Sequence, residues 1–516
     1  MQNIRIVSLL HYFKKAVFLL GIDLGTSTIK VCLVEAVTGE VVATAASPEQ
    51  EMPITALKSG WAEQSPEIWW QEVCNAIQKL PLDLRKQVSS VGIAYQMHGL
   101  VMIDAKGKAV RPSIIWCDSR ATEVGETASQ GLGASFCFRR FLNQPSNFTA
   151  AKWKWVAINE PKCYESVHKI MLPGDYLAYR LTGEITTTVS GLSEGILWDF
   201  HNRFPAYALM DYWGLEAEKL PDICPTFGSQ GRITKETAEM LGIPIHTPLM
   251  YRAGDQPNNA FSLGVLHPGQ VAATAGTSGV VYGVHDAAIY DPLNRINTFV
   301  HVNNRHEYIR NGVLLCINGA GRLNAWLRAN VTPESSYGTM NALAATAPIG
   351  ADGLVCLPFG NGTERILQNQ PLGAGFFGLD LNRHEKAHLL RAAQEGIVFA
   401  MQFGLETMRE MGLSVSHIRA GNANLFLSPL FREAFVNTTV ATLTLLDTDG
   451  AQGAARAAGV GIGAFLTIEE AGSAGLTTIH EESPDPNLIP YYKEAYEKWA
   501  LTLENQRNCL NPQNHV

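Results

Sequence analysis

No Cys-x-x-Cys pair occurs in this chain, although it holds nine cysteines (Cys32, Cys74, Cys117, Cys137, Cys163, Cys224, Cys316, Cys356 and Cys509). Neither zinc-ligand spacing nor a disulfide framework is present, so they read as unpaired, buried thiols of a reducing compartment. No stretch of 18 uncharged apolar residues follows the N-terminal segment, which excludes a proposed membrane span. The apolar segment Met1 to Leu20 is broken by Lys14 and Lys15 and has no small-residue cleavage site, so it makes a poor signal peptide. Asn-x-Thr sequons at Asn147, Asn330, Asn361 and Asn437 mean nothing without secretion, and the reading is cytoplasmic. Long runs of one charge are missing too: 40 basic residues stand against 48 acidic ones, a net charge of −8. No bulk field draws the chain to nucleic acid or anionic lipid, so a polyanionic ligand must be held locally. A Walker loop is absent as well, because Gly107-Lys108 is followed by Ala109.

What is present is the composition of a globular enzyme: 46% apolar and 17% charged residues, with 46 Gly and 25 Pro. At roughly 150 residues per domain, 516 residues make about three units or two large ones. An apolar run Val17 to Ile22 leads into the turn Asp23-Leu24-Gly25-Thr26-Ser27-Thr28 and returns as Ile29 to Val34, with Val41-Val42 after a further turn. The device recurs as Gln270 to Ala275, the turn Gly276-Thr277-Ser278-Gly279, and Val280 to Val284. Two domains of related design are expected, each opening with a hairpin whose turn exposes backbone N–H groups able to grip a polyphosphate. Helices are expected over Pro66 to Leu80, Ala150 to Asn159, Asp175 to Leu181 and His384 to Met411, a strand over Ser90 to Ala94, and a domain boundary near Phe261 to Gly264.

Asp23 ends a strand beside a Gly-Thr-Ser turn, where a carboxylate either caps the turn or reaches a metal-bound phosphate; the second such turn favours phosphate binding. Asp255, in Gly254-Asp255-Gln256-Pro257-Asn258-Asn259, ends another strand before a helix. An N-cap explains its type but not the surrounding amides, and a base accepting a hydroxyl proton is preferred. Gln96-Met97-His98-Gly99 also follows a strand, where polar side chains can read a small ligand. Trp116-Cys117-Asp118-Ser119-Arg120 offers a charged pair that reads equally as a surface ion pair worth about 0–1 kcal/mol. Two matches are set aside. His384-Glu385-x-x-His388, with Glu406 as a third ligand on paper, fits a zinc pattern but opens a helix facing water. Gly459-Val460-Gly461-Ile462-Gly463 follows an Ala-rich helical stretch and suits close packing.

Gly21-Ile22-Asp23-Leu24-Gly25-Thr26-Ser27, Trp61-Ala62-Glu63-Gln64, Gln96-Met97-His98-Gly99, Phe148-Thr149-Ala150-x-Lys152 and Leu172-Pro173-x-Asp175-Tyr176-Leu177 resemble the FGGY carbohydrate kinases, closest to their xylulokinase branch. So do Gly254-Asp255, Ala275-Gly276-Thr277-Ser278-Gly279 and Gly378-Leu379, in order over nearly the whole chain. The resemblance implies an α/β fold of two ribonuclease H-like domains, that of the sugar kinase, actin and heat-shock chaperone superfamily, closing over a central cleft. Residues 18–262 then form the N-terminal domain on the sugar and magnesium side and 263–490 the nucleotide domain. Residues 1–17 are an extension, and 491–516 a C-terminal helix and polar tail.

The implied cofactors are ATP and Mg2+. Asp23 is expected to help hold the metal, Asp255 to act as the base, and Met97 and His98 to touch the sugar. Gly25, Thr26, Ser27, Gly276, Thr277 and Ser278 are expected at the nucleotide phosphates, with Gly421, Asn422 and Asn424 near the adenosine. Ala420-Gly421-Asn422-Ala423-Asn424 departs from the usual Gly-Gly-Gly-Ala turn, Cys117-Asp118-Ser119-Arg120 from Asn-Asp-Gly-Arg, and Gly-Asp-Gln resembles the glycerol kinases. The expected reaction is therefore phosphorylation of a ketose, D-xylulose first, with ribulose, gluconate or glycerol as alternatives. An actin-like nucleotide or sugar switch is the rival class. An aspartyl-phosphate phosphatase is disfavoured, since Gly25 stands where a second Asp is needed. The expected partners are the sugar and ATP, not nucleic acid or membrane, and a homodimer stays open.

Overall fold

The computed structural model describes residues 17–362 and 364–510. The expected extension 1–17 therefore lies, but for Val17, outside the described residues. Contacts divide the chain into two compact units: Met1–Leu266 with Phe299–Arg310 and Thr448–Leu476, and His267–Thr298 with Asn311–Asp447 and Thr477–Val516. The break after Leu266 falls beside the boundary read from the sequence, but the chain then returns twice to the first unit. Thr448–Leu476, expected within the second domain, belongs to the first.

The first unit is built on a five-stranded sheet. Its strands are β1 (Phe18–Leu24), β2 (Ile29–Glu35), β3 (Val41–Ser47), β4 (Val88–Tyr95) and β5 (Leu249–Gly254), in the order β5-β4-β1-β2-β3. Strands β1, β2 and β3 form antiparallel hairpins, while β4 and β5 are parallel to β1 and to each other. Strands β1 and β4 are almost wholly buried and read as continuous apolar runs, as strands covered on both faces must. One cover is the helix Pro66–Lys79, which turns Trp69, Val73 and Ile77 inward. The other is the Ala-rich helix Gly450–Gly461, which lies so close that a Cβ on Gly21 would meet the Ala451 carbonyl oxygen at 1.8 Å. Only small residues on both sides allow that approach. Gly459 belongs to this helix and packs against Leu19 and Phe465, in keeping with the close-packing reading of the Gly459–Gly463 run.

The second unit repeats the plan. Its strands are β6 (Val271–Ala275), β7 (Gly279–His285), β8 (Asn297–Val300), β9 (Asn311–Ile317), β10 (His417–Gly421), β11 (Thr442–Leu446) and β12 (Thr478–Glu482), in the order β8-β9-β7-β6-β10-β11-β12. Removing the two edge strands leaves β9-β7-β6-β10-β11. That core has the same two antiparallel pairs followed by two parallel ones as the first sheet. The long helix expected from His384 runs Lys386–Glu410, with Gly412 at φ 96° just past its end. The C-terminal segment is no separate appendage: helix Ile489–Leu510 sinks Tyr492, Trp499 and Leu503 into this unit's core.

None of the nine cysteines, all of them among the described residues, is paired in a disulfide. Cys32, Cys74, Cys137 and Cys356 are buried as expected, but Cys117 and Cys509 are exposed and Cys163, Cys224 and Cys316 half-buried. A lone cysteine carries no periodicity, so its type alone did not place it.

Candidate active site

The first unit gathers its chemistry where strands end. Asp23 stands at the end of β1, and Asp255 begins the helix Asp255–Ser262 directly after β5. The loop Gln96-Met97-His98 leaves β4, so three neighbouring parallel strands deliver these residues to one end of the sheet. Loss of water around it pushes the half-buried Asp255 carboxyl up to about 7, with the charge of Asp23 as the next cause. Asp23 is pushed up to about 6, first by burial and then by Asp449. Two mutually repelling carboxyls removed from bulk water resist ionisation in this way.

His98 is held in an unusual pose. Its φ of 62° lies in the left-handed region, which costs a residue with a side chain about 1–2 kcal/mol. The buried Lys152 donates from Nζ to the carbonyls of His98 (2.9 Å) and Ile115 (3.0 Å), tying down that backbone. His98 Nδ1 lies 2.9 Å from the Glu194 carbonyl, and Phe148 packs edge-on against the ring at 4.8 Å. A carbonyl only accepts, so Nδ1 carries a proton and donates to it. Met97 is buried beside Gly254, where an added Cβ would stand 2.6 Å from Met97 Cγ and 2.6 Å from Glu194 Oε2. The structure thus brings Met97, His98 and Asp255 together with Glu194, which sequence reasoning missed. Nothing near Glu194 in the sequence marks it, because its neighbours come from β4 and β5.

The first Gly-Thr-Ser turn is tied in by side chains. Thr26 Oγ1 donates to Gln96 Oε1 (3.2 Å) and accepts from Trp116 Nε1 (2.9 Å), and the Thr26 carbonyl accepts from Gln64 Nε2 (2.8 Å). Gln96, read from sequence as able to face a ligand, is buried in this network and also donates to Gln64 at 3.2 Å. Asp118 and Arg120 need a larger correction. They are not a surface pair: Asp118 is fully buried, bridges Arg120 at 2.6 Å, and accepts from the Ala62 N–H at 2.6 Å. Arg120 also meets Glu63 at 2.7 Å and stacks over Trp61 at 3.7 Å. Removing one partner from a buried pair costs about 3–5 kcal/mol, well above the surface-pair figure.

A second residue missed from sequence is Asp449. It caps the helix Gly450–Gly461, accepting from Gln452 N–H at 2.9 Å, and its charge reaches Asp23. A Cβ on Gly450 would stand 2.4 Å from Asp23 Oδ2, and Asn258 donates to the Gly450 carbonyl at 2.9 Å. The signal was present as a strand followed by Asp-Gly and an Ala-rich helix, but nothing local linked it to Asp23. Oxygen donors of this kind suit a hard cation such as magnesium, which takes one or two carboxylates and completes its shell with water and phosphate. No group of three or more metal-ligating side chains occurs among the described residues. The His384/His388 match is spoken for: both Nδ1 atoms accept backbone N–H groups, of Asp380 (2.9 Å) and Glu385 (3.1 Å). The helix begins only at Lys386, so the two rings do not share a helical face as zinc ligands would.

In the second unit the turn Gly276–Ser278 joins β6 to β7 in front of the helix Ala320–Asn330. Arg322 N–H donates to the Thr277 carbonyl at 3.2 Å. Gly421 ends β10, Asn422 N–H donates to the Leu446 carbonyl at 3.0 Å, and Asn424 adopts φ 57°. Asn424 Nδ2 lies 3.4 Å from where a Cβ on Gly276 would stand, so the two segments expected at the nucleotide are neighbours.

Residues 18–262 match the FGGY family of carbohydrate kinases, N-terminal domain. Xylulose kinase of Escherichia coli (strain K12) is 30% identical over 400 residues, 76% of this chain and 79% of that protein. The crystal structure of xylulose kinase from Rhodospirillum rubrum shares the fold with a TM-score of 0.84 at 24% identity, over 96% of this chain and 99% of that one. Gluconate kinase from Lactobacillus acidophilus does so at 0.85 and 20% identity, over 96% and 99%. The duplicated sheets and these likenesses define a two-domain protein of the sugar kinase and actin type. Within that class the chain belongs to the FGGY family of carbohydrate kinases, enzymes that use ATP.

Among the described residues no helix is long and apolar enough to cross a membrane.

Proposed function

We propose that this enzyme transfers the γ-phosphoryl group of ATP to the terminal hydroxyl of D-xylulose, giving D-xylulose 5-phosphate and ADP, in the cytoplasm. The observation that carries the reading is Asp255, a half-buried carboxyl pushed up to about 7 at a strand end beside Asp23, with Met97 and His98 on the neighbouring strand's loop. A base near neutrality is matched to taking a hydroxyl proton.

The hydroxyl oxygen attacks the γ-phosphorus, its proton passes to Asp255, and the bond from phosphorus to the β,γ-bridging oxygen breaks. Such transfer asks little covalent work of a protein, so positioning and charge compensation are the main tasks. His98 touches a sugar hydroxyl, Met97 packs against the carbon chain, and Lys152 keeps His98 in place. The turns at Gly25–Ser27 and Gly276–Ser278 offer backbone N–H groups to the phosphates, and Gly421, Asn422 and Asn424 face the adenosine. Asp23 and Asp449 would hold the magnesium ion, which supplies charge neutralisation on the phosphates when bound.

ADP release with ATP and magnesium tests the reading across D-xylulose, D-ribulose, L-ribulose, glycerol and gluconate. Stimulation by D-xylulose above the rest is expected. Gluconate stays in the panel because the protein of the same fold from L. acidophilus is a gluconate kinase. Asp255→Asn should lower kcat by about 10²–10⁴-fold with ATP still bound. Normal turnover in that variant removes the base from Asp255, and sugar-independent ATP hydrolysis alone favours a nucleotide switch.

A further inference from the structure

Glu194 ends the short helix Val189–Glu194 and is 1% exposed. Neither carboxyl oxygen closes a hydrogen bond of ordinary length and angle, although the Tyr95 hydroxyl and the His98 peptide N–H reach toward it. The cations nearby are engaged elsewhere. Lys152 donates to two carbonyls, and Arg252 pairs with Asp175 at 3.1 Å. A carboxyl buried in this state costs free energy unless something satisfies it, so its place needs an explanation.

That place is the centre of the sugar-side residues. The Glu194 carbonyl fixes the His98 ring, and its Oε2 lies against Gly254, the residue before Asp255. Gly254 has no Cβ, and that missing atom is what leaves room for Glu194 Oε2 and Met97 together. Burial first, and then the charge of Asp255, hold the Glu194 carboxyl far above the usual carboxylate range. Its two oxygens, neither closed by a hydrogen bond, are the polar atoms here that a sugar hydroxyl could pair with.

We infer that Glu194 is a specificity-determining residue that pairs with one hydroxyl of an uncharged sugar beside the hydroxyl offered to Asp255. The inference rests on the reading of Asp255, Met97 and His98 as the sugar-side residues. A site built around a substrate hydroxyl rejects the analogue lacking it strongly, because the protein group is then left unpaired.

The test is a substrate-by-variant cycle on the full chain with ATP and magnesium: wild type, Glu194→Gln and Glu194→Met against D-xylulose and its monodeoxy analogues. Glu194→Met should lower kcat/KM for D-xylulose about 30- to 100-fold, mostly through KM, and Glu194→Gln should recover it to within about fivefold. One monodeoxy sugar should be as poor a substrate for wild type as D-xylulose is for Glu194→Met, and lose no more with that variant. Equal losses for every sugar, or none, overturn the inference and leave Glu194 a packing residue. Should Glu194→Met fail to fold, Tyr95→Phe replaces it, expected to raise KM for D-xylulose about threefold and for that one deoxy sugar not at all. Wild-type turnover of D-xylulose checks the kinase reading separately. Where no turnover is seen, calorimetric titration of the same sugars without ATP decides on Glu194, and unchanged affinity in the Glu194→Gln and Glu194→Met variants overturns the inference.

Discussion

The two Gly-Thr-Ser turns share three letters and a place after the first strand of a repeated sheet, yet they are supported differently. In the first, the Thr26 hydroxyl is taken by Gln96 and Trp116 and its carbonyl by Gln64. In the second, Thr277 is exposed and the turn is backed by main chain, through Arg322 N–H and the close approach of Gly321 to the Gly276 carbonyl. The same tripeptide is thus a side-chain anchor in one unit and a backbone platform in the other. Motif letters identify a turn; neighbours decide which of its atoms are available to a ligand.

The largest effect that can break this comparison is at Gly321. A Cβ there would stand 1.9 Å from the Gly276 carbonyl oxygen, so Gly321→Ala must move the second turn. A rise in KM for ATP of about 30-fold or more is expected, with sugar KM within about twofold, since misplacing a positioning element is costly. Equal changes in both constants would erase the division of labour. Next comes Thr26→Val, which strands Trp116 and Gln96 and should cost about 1–3 kcal/mol in denaturant unfolding. A cost below 0.5 kcal/mol would show the first turn to be as weakly anchored as the second. Smallest is Thr277→Ala, expected within about 0.5 kcal/mol of wild type in the same measurement while KM for ATP shifts by no more than a few-fold.

The pH dependence sharpens the contrast from the carboxyl side. Asp23 and Asp255 are raised in the folded chain to about 6 and about 7 from ordinary values near 3.8. Between pH 4 and 7 the folded state therefore binds more protons than the unfolded one, and their contribution to stability declines as pH rises through that window. Turnover should move the other way, climbing with pH through about 7 as Asp255 becomes a base. Asp255→Asn should flatten the upper part of the stability profile in thermal unfolding; an unchanged slope there would remove the raised carboxyl from the account.

Much of this molecule was legible before folding. Both hairpins, the strand ends at Asp23 and Asp255, the Met97-His98 loop and the long helix after residue 386 follow from apolar runs, turn residues and helical spacing, all local signals. Asp118 and Arg120 were misjudged because an ion pair two residues apart looks alike on a surface or in a core. Only burial between Trp61, Glu63 and the Ala62 N–H shows which it is. Asp449 and Glu194 were not seen at all. Each is ordinary in its own segment and gains meaning from strands far away in the chain.

The sequence by itself determined the repeated hairpin motif and the carboxylates at strand ends, because hydrogen-bonded turns and buried strands leave their pattern in consecutive residues, while the class of protein came from the resemblance carried by its ordered motifs. Tertiary structure alone decided that Thr448–Leu476 returns to the first unit, that Asp449 faces Asp23, and that Glu194 lies against Gly254. Those choices depend on close packing of Ala and Gly surfaces between elements distant in sequence, and packing is a property of pairs of elements that neither one encodes alone.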